Sequence, residues 1–422
     1  MKIFSKLKPN VRQNLLVLFA TGLLFWSSIA SMLPTLPPYI EDMGATTQQL
    51  GIVMGCFAIG LLLFRTPLGF LADKHSRKLV LIIGTLVVAI APLCYLIAPL
   101  DYLWVNSIAL LMLIRVFHGI SIAAFTTGYS ALVADLSPPQ QRGELIGYMS
   151  LVAPIGLALG PMMGSFLQTE AGYPALFICA GGLGLLSVVF SCLVSEQTRF
   201  ESEHQGNSPP HSKHLLHLLV SPRLRIPVAV LLMVGFAFGT ISTFISLFIR
   251  ETGVNFNAGL FFSATAMINF STRLIAGRAS DLYGRGLFIS GGLICYCSSM
   301  FLISIAQSPQ GFLLATIAQG IAAGTVLPMM IVLMSDRSTP DERGRIFSVG
   351  IGGFDLGIAL AGPVFGSFAD ILSYRDIFTL TTGLMFLALM IFVTQSSRSL
   401  SHSLRFAIGR ERDIYALENT AR

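Results

Sequence analysis

Charge is scarce in this chain. Lys, Arg, Asp and Glu make up 11% of its 422 residues, whereas a soluble domain usually carries about a quarter. That shortfall argues against a soluble globular protein. Tryptophan occurs twice and cysteine six times. The cysteines (Cys56, Cys94, Cys179, Cys192, Cys295 and Cys297) all fall within apolar runs and read as reduced packing residues. The pair Cys295 and Cys297 has no candidate ligands nearby, which argues against a metal or redox site. No G-x-x-x-x-G-K-[ST] loop occurs, so the chain lacks that ATP site. No H-E-x-x-H or nucleophile-elbow pattern with plausible partners occurs either. The expectation is a protein that is not an enzyme and needs no cofactor or metal.

Apolar sequence is what the chain has in quantity. Hydrophobic residues make up 54% and the mean hydropathy is +0.74. A membrane-spanning helix needs about 20 apolar residues. Twelve such runs occur, at 13–35, 47–70, 79–99, 106–133, 145–168, 174–194, 226–249, 257–276, 287–306, 310–334, 346–369 and 373–395. The predicted fold is therefore an all-α integral membrane protein with twelve transmembrane helices in two six-helix halves. Basic residues outside the runs orient it. With the N-terminus in the cytoplasm, only Arg250 and Arg375 fall on the opposite side, and positive charge concentrates inside. Both termini are then cytoplasmic and the protein sits, multi-pass, in the inner (plasma) membrane. The net charge of +6 reads as a topology signal. Nucleic acid is an unsuitable partner, because the basic residues are scattered over loops and form no single patch. The basic start, apolar run and small residues near Ala30 resemble a signal peptide. Cleavage would leave eleven spans, so an uncleaved first helix is the expectation.

The two halves repeat one another. Arg65, Gly69, Asp73 and Arg77 match Arg273, Gly277, Asp281 and Arg285 at an offset of 208. Asp135, Pro139, Arg142, Gly143 and Gly156 match Asp336, Pro340, Arg343, Gly344 and Gly357 at an offset of 201. A half-chain repeat in an apolar protein points to two packed helix bundles with a ligand site between them. The expected division is an N-terminal bundle at 1–195, a cytoplasmic linker at 196–225, a C-terminal bundle at 226–395 and a tail at 396–422. The linker contains GNSPP and His204, His211, His214 and His217. Those histidines lack Cys or acidic support and read as solvated, not as a metal tract. Leu215 to Arg225 suits a short amphipathic surface segment. No function is assigned to the tail.

Several stretches resemble motifs of the major facilitator superfamily. GFLADKHSRKL at Gly69–Leu79 resembles that family's loop between helices 2 and 3. Ser76 stands where glycine is usual, while Gly284 keeps the glycine in the second copy. LMLIRVFHGISIAA at Leu111–Ala124 resembles the helix-4 motif, with His118 in place of the usual glutamine. GLALGPMMGS at Gly156–Ser165 resembles a helix-5 motif that in this superfamily points toward antiporters. SMLPTLPPYIEDMGA in helix 1 is similar to a segment of twelve-helix drug/proton antiporters. The resemblance covers about 12–395 and is specific for the superfamily, not for a substrate. It departs at helix 1, where many multidrug antiporters carry an acid and Gln13 to Ile40 has none.

Each motif has a physical reading. Gly69, Asp73 and Arg77, with Gly277, Asp281 and Arg285, would form paired clasps that hold the halves shut and release when they rock; topology determinants with no gating role are the plainer alternative. Gly156, Gly160 and Gly164 form a smooth stripe for helix packing, and Pro161 removes a backbone donor. Arg115 lies inside an apolar span and is a functional candidate by default. His118 suits a hydrogen-bonded packing residue or a proton carrier equally. Asp355 alone among the acids lies deep in a span, ten residues past Arg345, about 15 Å of helical rise. It is the candidate for proton coupling, against a structural role bonded to a neighbouring helix. The family resemblance implies a cavity lined by helices 1, 4, 7 and 10, where Trp26, Arg115, His118, Phe238 and Gln319 fall. The expected function is secondary active transport by alternating access: proton-coupled efflux of a small amphipathic or organic molecule by a monomer in the lipid bilayer. Import of a small organic anion is the runner-up. A non-transporting receptor or scaffold is a third reading, disfavoured because a scaffold needs no paired clasps.

Overall fold

The structure is a computed structural model that describes residues 7–98, 107–138, 141–196, 221–339, 342–369 and 371–417. Among these, every regular element is helical. The first half contains α1 (Pro9–Ser31), α2 (Leu36–Asp42), α3 (Thr47–Lys74), α4 (Arg77–Tyr95), α5 (Ser107–Leu136), α6 (Arg142–Met149) and α7 (Val152–Leu193). The second contains α8 (Arg225–Thr252), α9 (Ala258–Tyr283), α10 (Arg285–Ile305), α11 (Pro309–Asp336), α12 (Arg343–Gly366), α13 (Tyr374–Gln395) and α14 (Leu400–Ala407).

Among the described residues, ten helical stretches are long and apolar enough to cross a membrane. The twelve-helix architecture accounts for that number. The stretch Arg142–Leu193 is 52 residues long, about 78 Å at 1.5 Å per residue, or two crossings of a core about 30 Å thick. Gly172, at φ 80° and ψ 178°, breaks α7 between them. The helix α9 falls short on hydropathy, since Asn269, Arg273, Arg278 and Asp281 interrupt its apolar run. Its length still suffices to span.

The chain divides into two compact units, one within Met1–His204 plus Asn257–Ser263, the other within Gln205–Phe256 and Ala264–Arg422. The linker histidines and most of Leu215–Arg225 lie outside the described residues.

Within the first unit, α1 packs along α7, α3 against α5, and α4 against both α5 and α7. Glycine makes the first contact close. A Cβ at Gly156 would fall 2.4 Å from the Trp26 Cβ, and one at Gly164 would fall 2.0 Å from the Ser31 carbonyl oxygen. The second unit repeats the device between α8 and α12: a Cβ at Gly235 would meet the Phe354 oxygen at 2.0 Å, and one at Gly357 the Leu232 oxygen at 2.1 Å. Aromatic rings fill the centres. Phe25 stacks on Phe125 at 3.7 Å in the first unit, and Phe248 lies 5.5 Å from Phe378 in the second. Buried hydroxyls bridge helices, as Ser28 Oγ donates to the Ala180 oxygen at 2.8 Å and Ser299 Oγ to the Ala315 oxygen at 2.9 Å. Outward faces carry large apolar side chains, including Leu63, Phe70, Phe166, Leu185, Ile294 and Phe386. Such an apolar exterior suits lipid and would be a liability in water.

Candidate functional site

Arg115 sits in α5 at the closest approach of α3. Gly60 and Gly119 face each other across that contact. A Cβ at Gly60 would meet the Val116 oxygen at 1.9 Å, and one at Gly119 the Phe57 oxygen at 1.9 Å. Two absent side chains therefore bring the α3 backbone within reach of Arg115. Its Nη2 donates to the Met54 oxygen at 3.3 Å, and its guanidinium carbon stands 4.5 Å over the Phe57 ring. A cation over an aromatic face is held by the ring quadrupole. The side chain is buried, at 9% exposure.

His118 completes the group one turn on. Its Nδ1 lies 3.4 Å from the Tyr95 hydroxyl, and Phe57 meets its ring edge to face at 5.5 Å. Tyr95 in turn is fixed through its carbonyl, which accepts from the Tyr39 hydroxyl at 2.5 Å. Arg115 Nε and His118 Nε2 are buried and have no hydrogen-bonding partner among the described residues. Buried polar atoms are normally satisfied, so each such exception needs an explanation.

The structure brings Arg115 and His118 together but keeps Trp26 in a different setting. Trp26 packs edge-on to Phe25 and Phe125 at 5.7 and 6.4 Å. In the second unit, Asp355 is buried near the middle of α12. Phe238 of α8 lies 6.1 Å from the ring of Phe354, the residue next to it. Gln319 is buried in α11, with Oε1 lacking a hydrogen-bonding partner among the described residues.

The repeated charged residues meet in pairs. Arg77 bridges Asp135 and donates through Nη1 to the Ala131 oxygen at 3.1 Å. Arg285 bridges Asp336 at 2.6 Å and Asp281 at 3.5 Å. The Arg77–Asp135 and Arg285–Asp336 pairs each join one residue from each of the two repeated sets, whereas Arg285–Asp281 lies within one set. The departure at Ser76 also has a local reason. Ser76 is extended, and its Oγ caps α4 by accepting from the Leu79 amide at 3.0 Å. Glu196 then accepts from Ser76 Oγ at 2.5 Å and from the Arg77 amide at 2.8 Å. Gly284 instead adopts φ 90° before α10, a left-handed conformation that glycine adopts at little cost.

One buried cluster escapes the sequence motifs. Arg337, at 1% exposure, donates from Nε and Nη2 to Asp413 at 2.7 and 2.9 Å, from Nη1 to the Arg223 oxygen at 2.8 Å and from Nη2 to the Ser396 oxygen at 3.0 Å. The only sequence cue is that Arg337 has no counterpart in the first half, where Leu136 occupies the matching position.

These features define a class: an all-helical, membrane-spanning protein of two repeated units, with an arginine buried in a long apolar helix of one and a carboxyl buried in a long apolar helix of the other. The pattern of the Major Facilitator Superfamily matches residues 17–285 and 270–414, and the chain belongs to that family. It is similar to the quinolone resistance protein NorA of Staphylococcus aureus (strain Mu50), 27% identical over 244 residues, 57% of this chain and 60% of that protein. The match thus spans somewhat less than two thirds of NorA's length. It is also similar to the multidrug resistance protein MdtG of Salmonella dublin, 26% identical over 400 residues, 90% of this chain and 95% of that one. Among solved structures, the nucleoside transporter NupG (D323A mutant) matches with a TM-score of 0.75 at 16% identity, covering 89% of this chain and 98% of NupG. A bacterial homologue of the lysosomal transporter Spinster matches with a TM-score of 0.69 at 16% identity, covering 95% and 97%. These likenesses concern the fold.

Proposed function

We propose that the chain is a secondary transporter that works by alternating access and exports a small amphipathic organic molecule in exchange for protons. The observation that carries this reading is the placement of ionisable side chains. Arg115, about a third of the way along α5, and Asp355, near the middle of α12, are both buried within long apolar helices, where a charge is expensive and its retention points to function. Family membership and the near full-length similarity to MdtG support it. In this reading Asp355 carries the proton. Arg115 and His118 form a polar wall of the substrate cavity, with Trp26, Phe238 and Gln319 as further lining. The Arg77–Asp135 and Arg285–Asp336 pairs belong to the gating clasps at the cytoplasmic side. The bundles are 1–195 and 226–395, joined by the 196–225 linker, in a monomer with both termini cytoplasmic in the inner membrane.

A second reading rests on the orphaned Arg115 Nε and His118 Nε2. A buried guanidinium N–H, beside an imidazole whose Nε2 donates when the Tyr95 hydroxyl donates to Nδ1, suits a small organic anion, which the protein would import. Purified protein in liposomes with an imposed pH gradient separates the two. Export coupling predicts that substrate moves against the proton flow, and anion symport that it moves with it. If neither moves on a broad substrate panel, the transporter reading fails and a receptor or scaffold takes its place.

A further inference from the structure

The segment after the last span is folded, and it is amphipathic in an unusual way. At about 100° per residue, α14 has three arcs. Ser403, Phe406 and Ala407 are buried. Leu400, Leu404 and Ile408 follow on the adjoining arc and are exposed at 58%, 43% and 51%. Ser401, His402 and Arg405 occupy the remaining, polar arc.

The buried arc docks on the ends of α10 and α13. Phe406 lies 6.1 Å from the Phe392 ring, and a Cβ at Gly286 would fall 2.1 Å from the Phe406 oxygen. The exposed leucine arc is continuous with an apolar exterior, since Gly409 abuts Leu287, itself exposed at the start of α10. The lipid-facing stripe of α10 continues through Ile294 and Phe301. The helix axis is pinned beyond its end. Asp413 is held by Arg337, and the Leu417 amide donates to the Asp336 oxygen at 2.9 Å.

The charge along this segment is one-sided. Asp413 is consumed by Arg337, and Glu411 faces His402 at 3.3 Å. Arg398, Arg405, Arg410 and Arg412 are exposed. Among the described residues no carboxylate bridges Arg405, Arg410 or Arg412. A helix with one apolar arc and a basic surround lies in the plane of a membrane interface, and clustered arginines at that level attract anionic headgroups.

We infer that the C-terminal segment is a membrane-surface element: the Leu400–Leu404–Ile408 arc enters the leaflet bordering this end of the second unit, and the surrounding arginines bind anionic phospholipid headgroups. This goes beyond transport and depends on neither substrate nor direction.

The test uses the full chain reconstituted in phosphatidylcholine, with or without phosphatidylglycerol, each with brominated acyl chains. Leu404→Trp adds a fluorophore on the arc, read as the difference from the parent protein. The expected result is added emission quenched by the bromines, several-fold more strongly when phosphatidylglycerol is present. Arg405→Glu with Arg412→Glu removes that dependence on lipid charge. Added emission untouched by the bromines, whether from water or from a protein contact, overturns the inference. Quenching indifferent to phosphatidylglycerol overturns the assignment of anionic lipid. Anionic lipid retained on purification, weighed by mass spectrometry, gives an independent reading for the same arginine variants: an unchanged amount contradicts the inference.

Discussion

At the scale of single residues, Arg115 is held by shape as much as by charge. A planar guanidinium spans the Phe57 face and the Met54 oxygen at once. A lysine ammonium is a point charge and cannot do both. Arg115→Lys is therefore expected to insert and fold normally but to lower flux about tenfold, equivalent to about 1.4 kcal/mol. Flux and thermal stability measured on the same preparation check this. Wild-type flux in Arg115→Ala would make the residue structural or idle. That Arg115, His118 and Asp355 are polar groups buried in long helices was legible in the sequence, because polar residues inside apolar runs stand out. Tyr95 and Phe57 were not. Nothing in an apolar run distinguishes the aromatic that will face a cation from those that fill the core.

At the scale of helices, packing distance is set by glycine. A methyl at Gly164 would overlap the Ser31 oxygen, and Gly164→Ala is expected to cost about 1–3 kcal/mol through overpacking. Gly147→Ala in α6 is the matched control, since a Cβ there meets nothing within 4 Å. Alanine favours helix over glycine by about 0.5–1 kcal/mol, so this variant should be neutral or slightly stabilised. Thermal denaturation in detergent reads both. The spacing of Gly156, Gly160 and Gly164 exposed one close contact in advance. Gly60 and Gly119 lie in different runs, and only the fold pairs them. The tail helix was illegible for a different reason. Its apolar residues are too few to span, and its anchor Arg337 draws partners from Arg223, Ser396 and Asp413, scattered along the chain. Asp413→Ala leaves that buried cation without its carboxylate, a loss of about 2–4 kcal/mol. The same denaturation assay tests it: an unchanged midpoint would mean that the tail adds no stability.

At the scale of the whole molecule, the chain is one design written twice. Arg77–Asp135 and Arg285–Asp336 recur at matching positions in the two units. A pair needed only to set topology would tolerate neutralisation. Clasps that open and close in each cycle would not. Asp135→Asn and Asp336→Asn are each expected to slow flux about three- to tenfold while leaving the amount inserted unchanged, a barrier change of about 0.7–1.4 kcal/mol. Normal rates in both would return these residues to a purely structural role.

The two units differ where coupling would need them to. The first holds the buried arginine and the second the buried Asp355, and helix 1 offers no second acid. Asp355→Asn fixes that group in its neutral form. The direct test is gradient-driven flux in liposomes, wild type beside Asp355→Asn, with downhill exchange measured in parallel. A proton-coupled carrier predicts uphill flux in the wild type, its loss in the variant, and surviving downhill exchange. Uphill, pH-driven flux retained in Asp355→Asn would contradict the account.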